Sequence, residues 1–187
     1  MQSLLNAARA FERLSSFIGR LGAWLIVALM LVIITDVTLR HWFVIGSTKL
    51  QELEWHLHGG LFLLCLGWAY TKGAHVRIEL ISERFSARTQ AWIELLGCLM
   101  LLIPYVIAIL HFGVDYTSFS YAFNESSASA TGLPDRWIIK GAIVFGFAIL
   151  GIAGIARALN AIVFLFGGDE LGKQTPFSVH HEMEGAS

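Results

Sequence analysis

Four stretches of this chain are long and apolar enough to be read as membrane-spanning helices, and they constrain the fold more than anything else in the sequence. They cover about residues 17–43, 53–71, 92–112 and 137–166. In the first, Leu21 to Thr35 carries no charge at all. Hydrocarbon leaves a backbone no partner but itself, so such stretches fold as helices. With 56 % hydrophobic residues, 14 % charged residues and a mean hydropathy of +0.64, the chain does not fit an ordinary soluble domain. The sequence predicts an all-α integral membrane protein with four transmembrane helices. Residues 21–166 form its membrane domain, and a polar tail over 167–187 is expected to be disordered and cytoplasmic.

Residues 1–20 place Leu4, Leu5, Ala8, Phe11, Leu14 and Ile18 at helical spacing, with Arg9, Glu12, Arg13 and Arg20 off that stripe. This pattern predicts an amphipathic interfacial helix before the first span. The lysines and arginines are unevenly placed. Nine lie on the side of the N-terminus, the 72–88 loop and the C-terminus, against four (Arg40, Lys49, Arg136, Lys140) on the other. By the positive-inside rule both termini are cytoplasmic, which requires an even number of spans. No nucleic-acid-binding face is visible, and Cys65 and Cys98, inside apolar runs, are expected as free thiols.

The stretch from Leu50 to Ile81 concentrates the polar signals. Glu52, His56 and Gly59 or Gly60 fall on one helix face, Glu54 and His58 on its neighbour. Glu and His at these spacings suit a metal site or a proton relay, or else polar packing against a partner; no matching set on another span completes a site. Gly59, Gly60 and Gly67 permit close helix approach. At the other end His75, Val76 and Arg77, followed by Glu79, form a basic loop anchor. Asp36 and Arg40, at i and i+4, can pair with each other or contact another subunit. Pro104 should kink the third span. His111 and Asp115 read as a solvated helix end, 113–136 as a polar loop, and Arg157 as a snorkelling anchor. His180 and His181 in the tail are a weak metal pair. No internal repeat of the kind that marks a self-sufficient transporter is found.

Taken in order, Asp36-x-x-x-Arg40, Glu52-Leu53 with Trp55, Gly67, His75-Val76-Arg77-Ile78-Glu79, Glu125-Ser126, Gly132-Leu133-Pro134, Lys140 and Gly146-Phe147 resemble the small membrane subunit of the tripartite ATP-independent periplasmic (TRAP) transporters, the DctQ-like family. The resemblance covers about Leu21 to Phe166. Glu79 stands where the family often has Asp, and Val144 where it often has proline. The resemblance implies a non-enzymatic scaffold subunit without cofactor in the bacterial inner membrane. It would pack against a large membrane subunit that takes up organic acids with sodium, served by a periplasmic substrate-binding protein. Asp36, Arg40, Glu52, Trp55, Gly59 and Gly67 are then the residues expected at the partner interface, and His75, Arg77 and Glu79 anchor the cytoplasmic loop. Two rival readings are a haem-binding anchor of an electron-transfer complex using His56, His58 and His111, and a stand-alone small transporter.

Overall fold

The computed structural model describes residues 1–73 and 85–178, and every regular element among them is helical. In chain order these are α1 (Gln2–Ala23), α2 (Leu25–Trp42), α3 (Thr48–Thr71), α4 (Ala87–Gly97), a π-helical turn (Cys98–Leu102), α5 (Ile103–Ala122), α6 (Trp137–Phe166) and the short α7 (Asp169–Gly172). His75, Arg77 and Glu79 lie outside the described residues.

Local chemistry sets the boundaries. Ser47 and Ser86 cap α3 and α4, their hydroxyls accepting from Leu50 N and Thr89 N at 3.4 Å each. Trp24 keeps helical dihedrals (φ −65°), so α1 and α2 run on with scarcely a break. At the end of α2, Phe43 N and Ile45 N both donate to Leu39 O at 3.1 Å, across Val44 at φ 56°. Proline at 104 would remove a hydrogen bond and clash with the preceding turn of an α-helix. The five-residue π turn just before Ile103 is where that conflict is absorbed, so the disruption expected of Pro104 takes this form.

The long helices pack as a bundle with α3 and α6 in the middle. Gly67 lies against Ile149, where an added Cβ would sit 2.9 Å from the carbonyl oxygen, and Gly146 lies against Leu63 O at 2.6 Å on the same basis. Both numbers rise together along the chain, so α3 and α6 are parallel, backbone against backbone. On one side the α1–α2 rod runs antiparallel to α3, with Gly19 under Trp68 and Gly22 under Leu64. On the other, α4 and α5 run antiparallel to α6, with Leu102 against Gly154 and Val106 against Gly151. The middle of the bundle is apolar: Leu63, Leu66, Val106 and Leu150, joined by Leu102, Leu110, Ala142, Ile143 and Phe147.

Among the described residues three helical stretches are long and apolar enough to cross a membrane, not the expected four: Gln2–Trp42, Ala87–Ala122 and Trp137–Phe166. The remaining candidate, α3, has 24 residues, but Lys49, Glu52, Glu54, His56 and His58 make its first half too polar. The helix of the expected third span also extends past its expected end at 112, since Gly113 to Ala122 is helix rather than loop. Two of its hydroxyls turn onto the backbone or inward: Thr117 Oγ1 donates to Gly113 O at 2.8 Å, and Ser120 is buried. The N-terminal helix packs on α3 and α6, burying Leu5, Ala8 and Ser15. In the tail, Thr175 and Phe177 are buried and Phe177 joins the core of Ala91, Leu95, Cys98, Ala158 and Ala161, so order continues well past 167; residues 179–187, with His180 and His181, lie outside the described residues.

Candidate functional site: polar clasps at the two ends of the bundle

The polar groups gather at two ends. At the end where α3 and α6 begin, Glu52 holds the loop between α5 and α6. Its Oε1 accepts from Ser127 Oγ and its Oε2 from Leu133 N at 2.7 Å, while Thr131 Oγ1 donates to Thr48 Oγ1 at 3.2 Å. The loop closes on itself through Ser127 N to Leu133 O and Arg136 N to Glu125 O, both 3.0 Å. Glu125 pairs with Lys140, which also lies 3.7 Å from the centre of the Tyr116 ring. The ammonium of Lys140 holds the Glu125 carboxyl below its ordinary value of 4.5. A carboxylate on α3 and another in the loop therefore secure the same segment.

The residues expected at a partner interface separate here. Asp36 is buried and pairs with Arg40 along one face of α2, as their spacing allows. Glu52 is engaged by the loop, and Gly67 by the α3–α6 contact. Gly59 is looser, since an added Cβ would meet Ile139 Cδ1 at an ordinary 3.5 Å. Trp55 points outward at 70 % exposure. His56 Nδ1 donates to Glu52 O at 2.6 Å, the carbonyl being able only to accept, and His58 and His111 are exposed. No group of three or more His, Cys, Asp or Glu side chains suited to a metal ion occurs among the described residues.

The opposite end carries a clasp that the sequence did not reveal. Arg157 does not snorkel to the headgroups as its position in the sequence suggests; it is buried and donates through Nε to Glu94 Oε1 at 3.3 Å. Tyr70 OH donates to the same oxygen at 3.0 Å, and the Arg157 guanidinium lies 5.6 Å from the Phe177 ring centre. Asn160 Nδ2 donates to Glu12 Oε1 at 2.6 Å, and Arg9 Nη2 to Gln174 Oε1 at 2.9 Å. The only sequence signal for this clasp was a carboxylate at 94 and a guanidinium at 157 inside apolar runs, each of which needs a partner there.

These features define a helical membrane protein whose buried polar side chains tie its own helices together around an apolar middle. The family model for the tripartite ATP-independent periplasmic transporters, DctQ component, matches residues 29–164, from α2 to the end of α6. The chain belongs to that family and is a transporter component. No curated protein and no solved structure matches it.

Proposed function

We propose that this chain is the small scaffold subunit of a sodium-driven TRAP transporter that takes up organic acids. It packs beside a large membrane subunit and works with a periplasmic substrate-binding protein. The observation that carries the reading is the apolar middle of the bundle, Leu63, Leu66, Val106 and Leu150 with their neighbours. A translocation site for a carboxylate needs hydrogen-bond donors at that depth, and this chain places its buried charged side chains, Asp36, Lys140 and Arg157, toward the ends instead. Substrate binding then belongs to the partner, and this subunit supplies a rigid flank. In this arrangement α3 completes a four-span topology within the assembly, its polar first half sheltered by α2 and the Ser127–Leu133 loop. Both termini face the cytoplasm of a bacterial inner membrane.

The test is reconstitution. Liposomes holding the large subunit, the binding protein and this chain should take up labelled organic acid when a sodium gradient is imposed, and liposomes holding this chain alone should not. Uptake by the chain alone would sink the scaffold reading and favour a stand-alone carrier.

A further inference from the structure

We infer that the face of α5 around Asp115 is where a membrane-spanning helix of the large subunit docks, presenting a basic side chain to the Asp115 carboxylate. This rests on the scaffold reading above and locates the contact within it. Three acids fall in the described stretches α2, α4–α5 and α6: Asp36, Glu94 and Asp115. Asp36 is paired with Arg40 and Glu94 with Arg157, but Asp115 is exposed and has no ion pair or hydrogen bond among the described residues. Its neighbour at i−4, His111, is exposed too, with Phe112 (69 %) and Phe119 (60 %) flanking it on the same side of the helix.

Depth makes this exposure informative. Asp115 lies between Gly113, which abuts Val144, and Thr117, which abuts Gly141, so it sits at least a turn inward of Trp137. Tyr121 and Trp137, whose rings meet edge to face at 5.5 Å, mark the aromatic girdle at this end. Asp115 precedes Tyr121 by six residues of helix, roughly 9 Å of rise. Its short side chain cannot reach back to the headgroups as a lysine or arginine does, and a carboxylate facing lipid there is costly. A second copy docking by the same face in a two-fold contact would bring like charges together. A helix carrying a cation satisfies both the acid and the apolar rim.

The experiment is co-purification of the large subunit with the tagged chain from co-expressing membranes in mild detergent, comparing the unaltered chain with Asp115→Glu and Asp115→Leu. Asp115→Leu should lower the ratio of large subunit to chain by about tenfold or more, because it strands the partner's charge, and Asp115→Glu should retain it. In parallel, a benzoylphenylalanine photo-crosslinker at Phe112 should give an adduct with the large subunit, a readout that does not depend on the Asp115 variants folding. An unchanged ratio for Asp115→Leu, or adducts only with lipid or a second copy, would overturn the inference while leaving the scaffold reading in place. An unaltered chain that brings down no large subunit overturns both.

Discussion

Single ionic contacts decide how the two ends hold. Glu94 and Arg157 are largely buried, with side-chain exposures of 13 % and 8 %. Arg157→Leu takes one charge-assisted hydrogen bond from the Glu94 carboxylate, which keeps that of Tyr70, and should destabilise the chain by about 1.5–3 kcal/mol, whereas Glu94→Leu with Arg157→Leu should lose less than the two single variants summed. Thermal unfolding in detergent of the two single variants and the double variant measures this, and strictly additive losses would show that the pair is not coupled. At the other end, Glu125 has its folded pKa depressed, chiefly by Lys140. Its contribution is therefore present above the unfolded value of 4.5 and is lost as pH falls through the lower folded value. Hydrogen exchange in residues 125–134 should accelerate as pH drops below 4.5, beyond the intrinsic pH effect, and Glu125→Gln should reduce that extra acceleration, the remainder belonging to Glu52, whose carboxylate holds Ser127 and Leu133 of the same segment. Asp36 and Arg40 were legible as a pair because they are a helical turn apart. Glu94 and Arg157 are 63 residues apart and Glu12 and Asn160 are 148 apart, so no local pattern could join them. Glu52 stood out as polar, but its partners Ser127 and Leu133 lie in a loop whose course only the fold supplies.

Between elements, the contact of α3 with α6 sets backbone against backbone. A side chain at Gly67 would meet Ile149 Cγ2 at 2.8 Å and its carbonyl oxygen at 2.9 Å, and a backbone cannot turn aside as a rotamer can. Gly67→Val should therefore destabilise the bundle by about 1–3 kcal/mol or more. Gly59→Ala, facing only Ile139 Cδ1 at 3.5 Å, should be tolerated. Yield of monodisperse protein and unfolding temperature for the two variants separate the cases; equal behaviour would argue against the packing described. Hydropathy made the apolar parts of α2, α4–α5 and α6 legible, since length and composition alone bound a helix in lipid. It misplaced the end of α5, because Tyr116 to Tyr121 reads as loop until Thr117 and Ser120 are seen to turn onto the backbone and into the protein. It could signal trouble at Pro104 but not the π turn, whose wider winding shows only in the backbone.

Across the whole molecule, two inner helices are flanked by two rods whose outer faces are apolar, including Ile26, Met30, Leu31 and Ile34 on α2 and Ile93, Met100 and Leu101 along α4 and the π turn. The proposed topology puts the 125–134 loop and the tail on opposite sides of the membrane. In a cysteine-free background, a thiol at Thr131 should react with an impermeant maleimide in cells with a permeabilised outer membrane, and one at Lys173 only after the inner membrane is opened. Equal labelling of both would contradict that topology. The tail-end clasp also bears on how the chain is made. Glu12 reaches Asn160 and Arg9 reaches Gln174, so α1 finds its hydrogen-bond partners on segments made well over a hundred residues after it. During synthesis α1 must wait at the membrane with its seam uncovered, and a chain cut short before α6 keeps that seam open, a mark by which quality-control proteases can tell an unfinished subunit from a finished one.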